Sequence, residues 1–165
     1  MTEPTDPLTP AEERAWRALA LALITVPRSL DTDLLRATGM SMGEYFVLMN
    51  LSEARDRSLR MSDLANRGGL SPSRISRVVD GLVAQGLVQR SRTEADGRVQ
   101  LAVLTDQGLA RLQAAYPAHL ASVRRNVVDH LGGLDLAAFA RAVSAFAPDC
   151  RRLIDQDEMA DQVRL

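Results

Sequence analysis

The chain has 165 residues, about the length of one domain, and its 46% hydrophobic residues are enough to form a core. The formal net charge of −1 excludes a global positive charge as the means of binding nucleic acid or a membrane. A single cysteine, Cys150, excludes an internal disulfide, and an acidic N-terminus without a long apolar stretch predicts a cytoplasmic protein that is not membrane-bound.

The first predicted helix begins at Thr9, which forms a capping box with Glu12, and it ends near Gly39. Apolar residues recur along it with helical spacing and give one stripe on its surface. Pro27 lies inside this stripe, so we expect a kink or a break there. Residues 1–8 are predicted to form a flexible N-terminus.

The next elements follow the order of a helix-turn-helix. Ser41 opens a helix with a second capping box, and residues 53–59 are predicted to be a charged connector. A short helix then spans about residues 62–67. Ser71 caps the following helix, which we expect to continue to Gly86.

A hairpin is predicted after this motif. Residues 87–93 and 99–103 have the composition of two strands, and residues 94–97 contain an Asp-Gly pair that favours a tight turn. A hairpin that follows a helix-turn-helix makes a winged helix. The predicted fold class is therefore mainly α with a small β-wing, and further helices flank the winged helix-turn-helix at both ends.

Two helices complete the chain. Thr105 caps a long helix that we expect to be interrupted at Pro117 and to end at the glycine pair 132–133. Asp135 caps the last helix.

The helices at the two ends carry more apolar surface than a small winged helix can cover. Their stripes lie within residues 16–35, 109–131 and 136–146. Each large aliphatic side chain left in water forgoes about 1.5–3 kcal/mol, which favours burial against a second copy over a single monomeric core. The predicted organisation is one domain over residues 9–155, with dimerisation helices at 9–38 and 106–155, a winged helix-turn-helix at 41–104 and a polar tail at 156–165.

The helix that begins at Ser71 has one apolar face and one polar face. Two arginines and several short hydroxyls gather on the polar face in the first two turns, where a recognition helix meets base edges and phosphates. A merely solvated helix face is the alternative. The residues predicted to contact DNA on this helix are Ser71, Ser73, Arg74, Ser76 and Arg77.

The positive charge is concentrated in the middle of the chain. All 20 basic residues are arginines, and residues 55–98 hold nine of them against five acids. A basic centre therefore lies between acidic flanks. This pattern favours a segment that faces phosphate, although charge alone leaves a solvated surface open.

Two short motifs carry a resemblance to a known family. The turn 96–98 (Asp-Gly-Arg) and the segment 104–108, which begins Leu-Thr and ends in Gly, resemble the wing signature of the MarR (multiple antibiotic resistance regulator) transcription factors. Residues 71–82 are similar to that family's recognition helix, and residues 43–48 are similar to the start of its second helix. The resemblance covers about residues 10–150.

The resemblance implies an obligate homodimer that binds a pseudo-palindromic operator in double-stranded DNA and represses transcription. It also implies that Arg98, paired with Asp96, enters the minor groove; a surface ion pair at the wing tip is the alternative. Arg92, on the opposite strand, is a weaker candidate for a phosphate contact.

An effector site is predicted where the terminal helices meet the winged helix, because a ligand there has leverage over DNA binding. Its predicted lining is Trp16, Tyr45 and His119, with Arg14 or Arg28 nearby. Aromatic surface beside cationic donors suits a small aromatic or phenolic anion, which we expect to loosen the operator complex. Packing in the core or the dimer interface is the alternative role for the tryptophan.

Other classes of function have little support. The sequence contains no nucleophile elbow, phosphate-binding loop or carboxylate constellation, and His119 and His130 lack metal-ligand spacing, so we expect no enzyme, metal or cofactor. Cys150 is expected to be a passive thiol. A winged helix used only for protein contact and a small-molecule-binding protein without DNA function remain open. The arginine-bearing helix face and Arg98 favour a ligand-responsive repressor over both.

Overall fold

The computed structural model describes residues 6–68, 71–92 and 100–146, and these ranges form six helices and one small antiparallel sheet. The predicted fold class, mainly α with a β-wing, is confirmed. Short 3-10 turns follow α2 and α5, at Arg55–Arg57 and Val128–His130. In chain order the elements are α1 (Pro10–Thr38), α2 (Met42–Glu53), β1 (Ser58–Arg60), α3 (Met61–Gly68), α4 (Pro72–Ala84), β2 (Val88–Arg92), β3 (Gln100–Leu104), α5 (Asp106–Asn126) and α6 (Leu136–Phe146).

Helix α1 has the predicted ends but no break. The Thr9 hydroxyl accepts from the Glu12 amide at 3.3 Å, and Gly39, at φ 71°, donates its amide to the Leu35 carbonyl at 2.9 Å. The helix continues through Pro27, so a break there is wrong. Proline removes one hydrogen bond to the carbonyl four residues earlier, that of Leu23, and this residue is 64% exposed. Water can therefore solvate the freed carbonyl.

The sheet has three strands in the order β1-β3-β2, all antiparallel. Residues 53–59 were predicted to be a connector only, which is wrong at its end, because Ser58 pairs with Val103 and starts β1. A strand of three residues is too short to show alternation, and it forms here because β3 offers a free edge. The inward face of β3 carries Ala102 and Leu104, both buried.

Helix α5 continues through Pro117 and ends at Asn126, so the predicted interruption and the predicted end at the glycine pair 132–133 are both wrong. The Asn126 side-chain amide donates to the Ser122 carbonyl at 2.9 Å, which holds this end of the helix. The predicted cap of α6 is confirmed, since Asp135 accepts from the amides of residues 137 and 138.

The core lies inside the winged helix and is aliphatic, with Tyr45 as its one aromatic member among the described residues. Most of the completely buried side chains come from α1, α2, α3 and α4, and Ala102 of β3 and Ala115 of α5 complete the set. The leucines and isoleucine at its centre are Leu34, Leu48, Leu51, Leu64, Ile75 and Leu82.

Two helical stretches lie outside this core, and we call them the apolar end faces: residues 10–25 of α1 and the described side chains 136–145 of α6. No residue of either stretch is buried. Leu23 is 64% exposed and Leu136 is 55% exposed. Within the described part of the chain, none of the helices combines the length and the apolar character needed to span a membrane.

The first turn of α5 rests on the end of α4 and the start of β2. The Thr105 amide donates to the Leu87 carbonyl at 3.1 Å, and the Thr105 hydroxyl lies 2.9 Å from the Gly86 carbonyl oxygen. That hydroxyl also accepts from the Gly108 amide at 3.0 Å. A Cβ atom on Gly108 would overlap the Leu87 carbonyl oxygen and lie 2.8 Å from the Leu104 side chain. Only glycine lets the helix approach the strand this closely.

We therefore expect Gly108→Ala to lower the free energy of unfolding by about 1–3 kcal/mol, the usual cost of overpacking, although alanine is the better helix former. Gly81→Ala in α4 is the matched control. No atom lies within 4 Å of its added Cβ, so it should raise the free energy of unfolding by about 1 kcal/mol. Urea unfolding measures both, and a Gly108→Ala protein as stable as the wild type would contradict the close approach.

Candidate nucleic-acid interface

The polar face of α4 is exposed because its apolar face is fixed in the core. Ile75, Val79 and Leu82 are completely buried on one side of the helix. Ser71 caps the helix and accepts from the Arg74 amide at 3.4 Å. Its hydroxyl lies 3.2 Å from that of Ser73, and both residues are exposed. The start of α4 therefore presents short side chains to solvent.

Arg74 and Arg77 line an open groove of about 560 Å³ between α4 and the start of α2. Both residues are exposed, and neither makes an ion pair with another described residue. Gly81 lies one turn further along the same groove. Two unpaired guanidinium groups on one helix face are donors that phosphates and guanine edges accept.

Glu44 is the acidic residue of this groove. Burial raises the pKa of its carboxyl, but hydrogen bonds from the Ser41 amide and hydroxyl and from Gln85 outweigh burial and hold that pKa below its usual value. The carboxylate oxygens lie 2.8 Å from the Ser41 amide and 3.2 Å from the Gln85 side chain. The Glu44 carboxylate is therefore already hydrogen-bonded within the protein, where it caps the start of α2.

Ser76 differs from the other predicted contacts on α4. It is half-buried, and its hydroxyl accepts from the Arg90 guanidinium at 3.0 Å. Arg90 also donates to Asp80 at 2.8 Å and to Gln100 at 2.7 Å. Sequence reasoning missed Arg90 as a functional residue. The signal was its place two residues after Val88 on a strand, which puts an arginine on the buried face.

The tip of the wing lies outside the described residues, and Asp96 and Arg98 with it. Arg92 is the last described residue of β2, and its backbone is in register with Gln100 of β3. The two strands therefore lead into the predicted turn from both sides. The contacts expected of Asp96 and Arg98 stay predictions. Cys150 also lies outside the described part of the chain.

The predicted effector residues are brought together only in part. The rings of Tyr45 and His119 stack with their centroids 4.3 Å apart. The His119 Nδ1 atom is buried and has no hydrogen-bond partner among the described residues. Burial lowers the pKa of His119 and raises that of Tyr45. Trp16 is 56% exposed and lies about 27 Å along α1 from the buried Leu34.

The two predicted cationic neighbours lie on α1, away from this ring pair in the chain. Arg14 is exposed within the apolar end face of α1. Arg28 lines a polar cavity of about 310 Å³ with Asp33, Arg36 and Arg125. Among the described residues, no three His, Cys, Asp or Glu side chains lie close enough together to hold a metal ion.

Asp33 joins α1 to α5 beside that cavity. It accepts from the Ser122 hydroxyl at 2.7 Å, from Arg125 at 2.6 Å and from Asn126 at 3.0 Å. These hydrogen bonds, led by that of Ser122, lower the pKa of the Asp33 carboxyl to about 2. The carboxylate therefore stays ionised at neutral pH and remains able to accept hydrogen bonds from α5.

Comparison with known proteins gives one consistent family. A family model described as MarR family matches residues 38–99. AbsC, a MarR family transcriptional regulator from Streptomyces coelicolor, is 37% identical, with a TM-score of 0.79 over 89% of this chain and 99% of AbsC. Sco3205, a MarR family regulator from the same organism in complex with DNA, is 32% identical, with a TM-score of 0.81 over 88% of this chain and 91% of Sco3205.

A curated relative agrees over a shorter stretch. The HTH-type transcriptional repressor YetL of Bacillus subtilis is 34% identical over 85 residues. That match spans 52% of this chain and 51% of YetL, so the chain matches about half the length of this relative.

Proposed function

The chain belongs to the MarR family of transcriptional regulators, and from that premise we propose that it binds a pseudo-palindromic operator as a homodimer and represses transcription. It is a regulator rather than an enzyme. The observation that carries the proposal is the pair of exposed arginines, Arg74 and Arg77, without carboxylate partners among the described residues. A cytoplasmic location belongs to the same proposal, since a repressor must reach the DNA.

The face of α4 has the features that a major-groove helix needs. Arg74 and Arg77 are one turn apart on the exposed side, and Arg77 is followed one turn later by Gly81, where a Cβ would meet open space. A flat, short-chained surface lets the helix approach the base edges. The N-terminus of α4 adds the positive end of the helix dipole, which attracts phosphate.

We expect Arg77→Ala to weaken binding to the duplex that the wild-type protein selects from a randomised DNA pool by about 1–3 kcal/mol. Wild-type binding should also weaken steeply with salt, because phosphate contacts release counterions. Arg124→Ala, which removes an exposed arginine at the far end of α5, is the matched control and should bind as the wild type does. Fluorescence anisotropy across a salt series measures all three.

Two results would contradict this role of α4. The first is an affinity that does not change with salt, because it excludes phosphate contacts. The second is an equal loss in the Arg77→Ala and Arg124→Ala proteins, because it would assign the effect to net charge rather than to the recognition face. A wild-type protein that selects no duplex at all would instead favour a winged helix that contacts protein alone or a small-molecule-binding protein.

The homodimer is supported by the apolar end faces. Asp33 of α1 contacts Ser122 of α5, and Thr38 accepts from Arg111, so the two helices run antiparallel. Helix α5 ends at Asn126, and residues 10–25 of α1 therefore extend beyond it without a covering element among the described residues.

A second copy supplies matching apolar surface. The large exposed apolar side chains of the two faces are Trp16, Leu21, Leu23, Ile24, Leu136, Phe139 and Val143. Each one forgoes about 1.5–3 kcal/mol when fully wet, so their combined exposure disfavours a monomer. Two-fold symmetry places the same patch on both partners, and both faces are buried in one step. Two copies of α4 are then available for the two halves of an operator.

The effector belongs to the same proposal and rests on the Tyr45–His119 pair. The stacked rings lie where α2 meets α5, between the winged helix and the long helices. The unpartnered Nδ1 of His119 is a donor or acceptor that a bound carboxylate or phenolate would satisfy. A small aromatic anion offers both a ring for stacking and a charged oxygen. Trp16 enters this site through the second copy, since it stands apart from the pair within one chain.

A small aromatic anion should release the operator, and salicylate is the probe. We expect His119→Ala and Trp16→Ala to raise the salicylate concentration needed for release about tenfold without abolishing DNA binding. His130→Ala, an exposed histidine, is the control. Because an anion stabilises protonated His119, whose pKa burial lowers in the free protein, salicylate should also bind more tightly at lower pH.

Gel-shift titration of the four proteins at two pH values is the measurement. Identical responses from the wild type and both site variants would contradict the assignment of the site, and so would a wild type that never releases the duplex. Neither result touches the DNA-binding proposal, which the arginine variants test separately.

A further inference from the structure

We propose that Arg90 is a positioning residue that holds the wing against the recognition helix, and that Asp80 increases DNA affinity by holding Arg90 in place. This inference rests on the proposed DNA-binding function. It assigns Asp80, an acidic residue on the proposed DNA-facing side of α4, a favourable role in binding DNA, although DNA is itself an anion.

One guanidinium group joins three elements. Arg90 extends from β2, and its Nη2 atom donates to Asp80 Oδ1 at 2.8 Å and to Ser76 Oγ at 3.0 Å, both on α4. Its Nη1 atom donates to Gln100 Oε1 at 2.7 Å, on β3. The recognition helix and both strands of the wing are therefore tied through one planar group. We call these four residues the wing clamp.

Arg90 is enclosed rather than presented to a ligand. Its side chain is 28% exposed, and its Nε atom is buried. Val88, two residues earlier on the same face of β2, is 1% exposed. An enclosed guanidinium that already donates to a carboxylate, a hydroxyl and an amide has little capacity left for a phosphate. Its action on DNA is therefore indirect.

The clamp lies where the wing leaves the sheet. Gln100 is in register with Arg92, the last described residue of β2, and the chain between them carries the predicted wing contacts Asp96 and Arg98. A wing that contacts one groove while α4 occupies another requires a defined angle between the two. The hydrogen bonds from Arg90 to α4 and to β3 set that angle.

Asp80 allows a direct test, because the two explanations predict opposite changes in DNA affinity when its carboxylate is removed. Its side chain is 62% exposed and lies one turn after Arg77, so its charge faces the same DNA backbone as that arginine. If charge alone mattered, removing Asp80 would tighten DNA binding, because a repulsive carboxylate is lost. If the clamp positions the wing, removing Asp80 weakens binding, because Arg90 loses its charged partner.

The experiment uses the full-length chain and the duplex selected by the wild-type protein. Asp80→Ala should weaken binding about tenfold, the size of coupling expected within one hydrogen-bonded network. Asp63→Ala is the matched control, because it removes an exposed carboxylate from the winged helix without touching the clamp. It should leave binding unchanged or tighten it. Arg90→Gln should weaken binding as Asp80→Ala does, and the double variant should lose little more than either single one.

One further variant separates positioning from other roles. Arg90→Lys keeps the charge but loses the planar fork, so it should bind as weakly as Arg90→Gln. Thermal unfolding checks that each variant is folded, and the exposed Asp80 carries the test if the Arg90 variants are not.

The outcomes are distinguishable. Tighter or unchanged binding by Asp80→Ala, or wild-type affinity in Arg90→Lys, would each overturn the wing clamp and leave the DNA-binding proposal intact. A wild-type protein that selects no duplex would overturn the DNA-binding function, and the wing clamp with it.

Discussion

The close seating of α5 on the Leu87 carbonyl connects every functional part of the structure. Thr105 donates to the carbonyls of Gly86 and Leu87, which link α4 to β2, and a Cβ atom at Gly108 would overlap the Leu87 carbonyl oxygen. The recognition helix, the wing strands and the long helix therefore meet at one rigid joint. We expect a shift of α5 to move the recognition helix with it, because closely packed atoms transmit a displacement instead of absorbing it.

Two polar networks connect these elements to their neighbours. Asp33 ties α5 to α1 through three donors, and its ionisation at neutral pH keeps that tie in place. Arg90 ties α4 to the wing through Asp80 and Gln100. The Tyr45–His119 pair lies where α2 of the winged helix meets the long helix α5. The proposed effector response follows from this placement.

Local signals in the sequence predicted the helix starts well. Each of these starts depends on a hydrogen bond between near neighbours in the chain, so the local sequence is enough to reveal it. The capping residues are Thr9, Ser41, Ser71 and Thr105. The misses depend on contacts between distant segments. Strand β1 exists because β3 offers it an edge, and α5 ends early where its last residue bonds to Asp33.

The same distinction between local signals and distant contacts applies to the residues of the candidate site. The exposed arginines of α4 were predictable, because helical periodicity separates a polar from an apolar face. The wing clamp was missed, since Arg90, Asp80 and Gln100 come together only when strand register is known. Hydroxyl-radical footprinting of the selected duplex tests the central claim, a two-fold dimer with two recognition helices. We predict two symmetric protected half-sites whose centres lie about 10 base pairs apart or at a multiple of that spacing, and a single protected patch would contradict it.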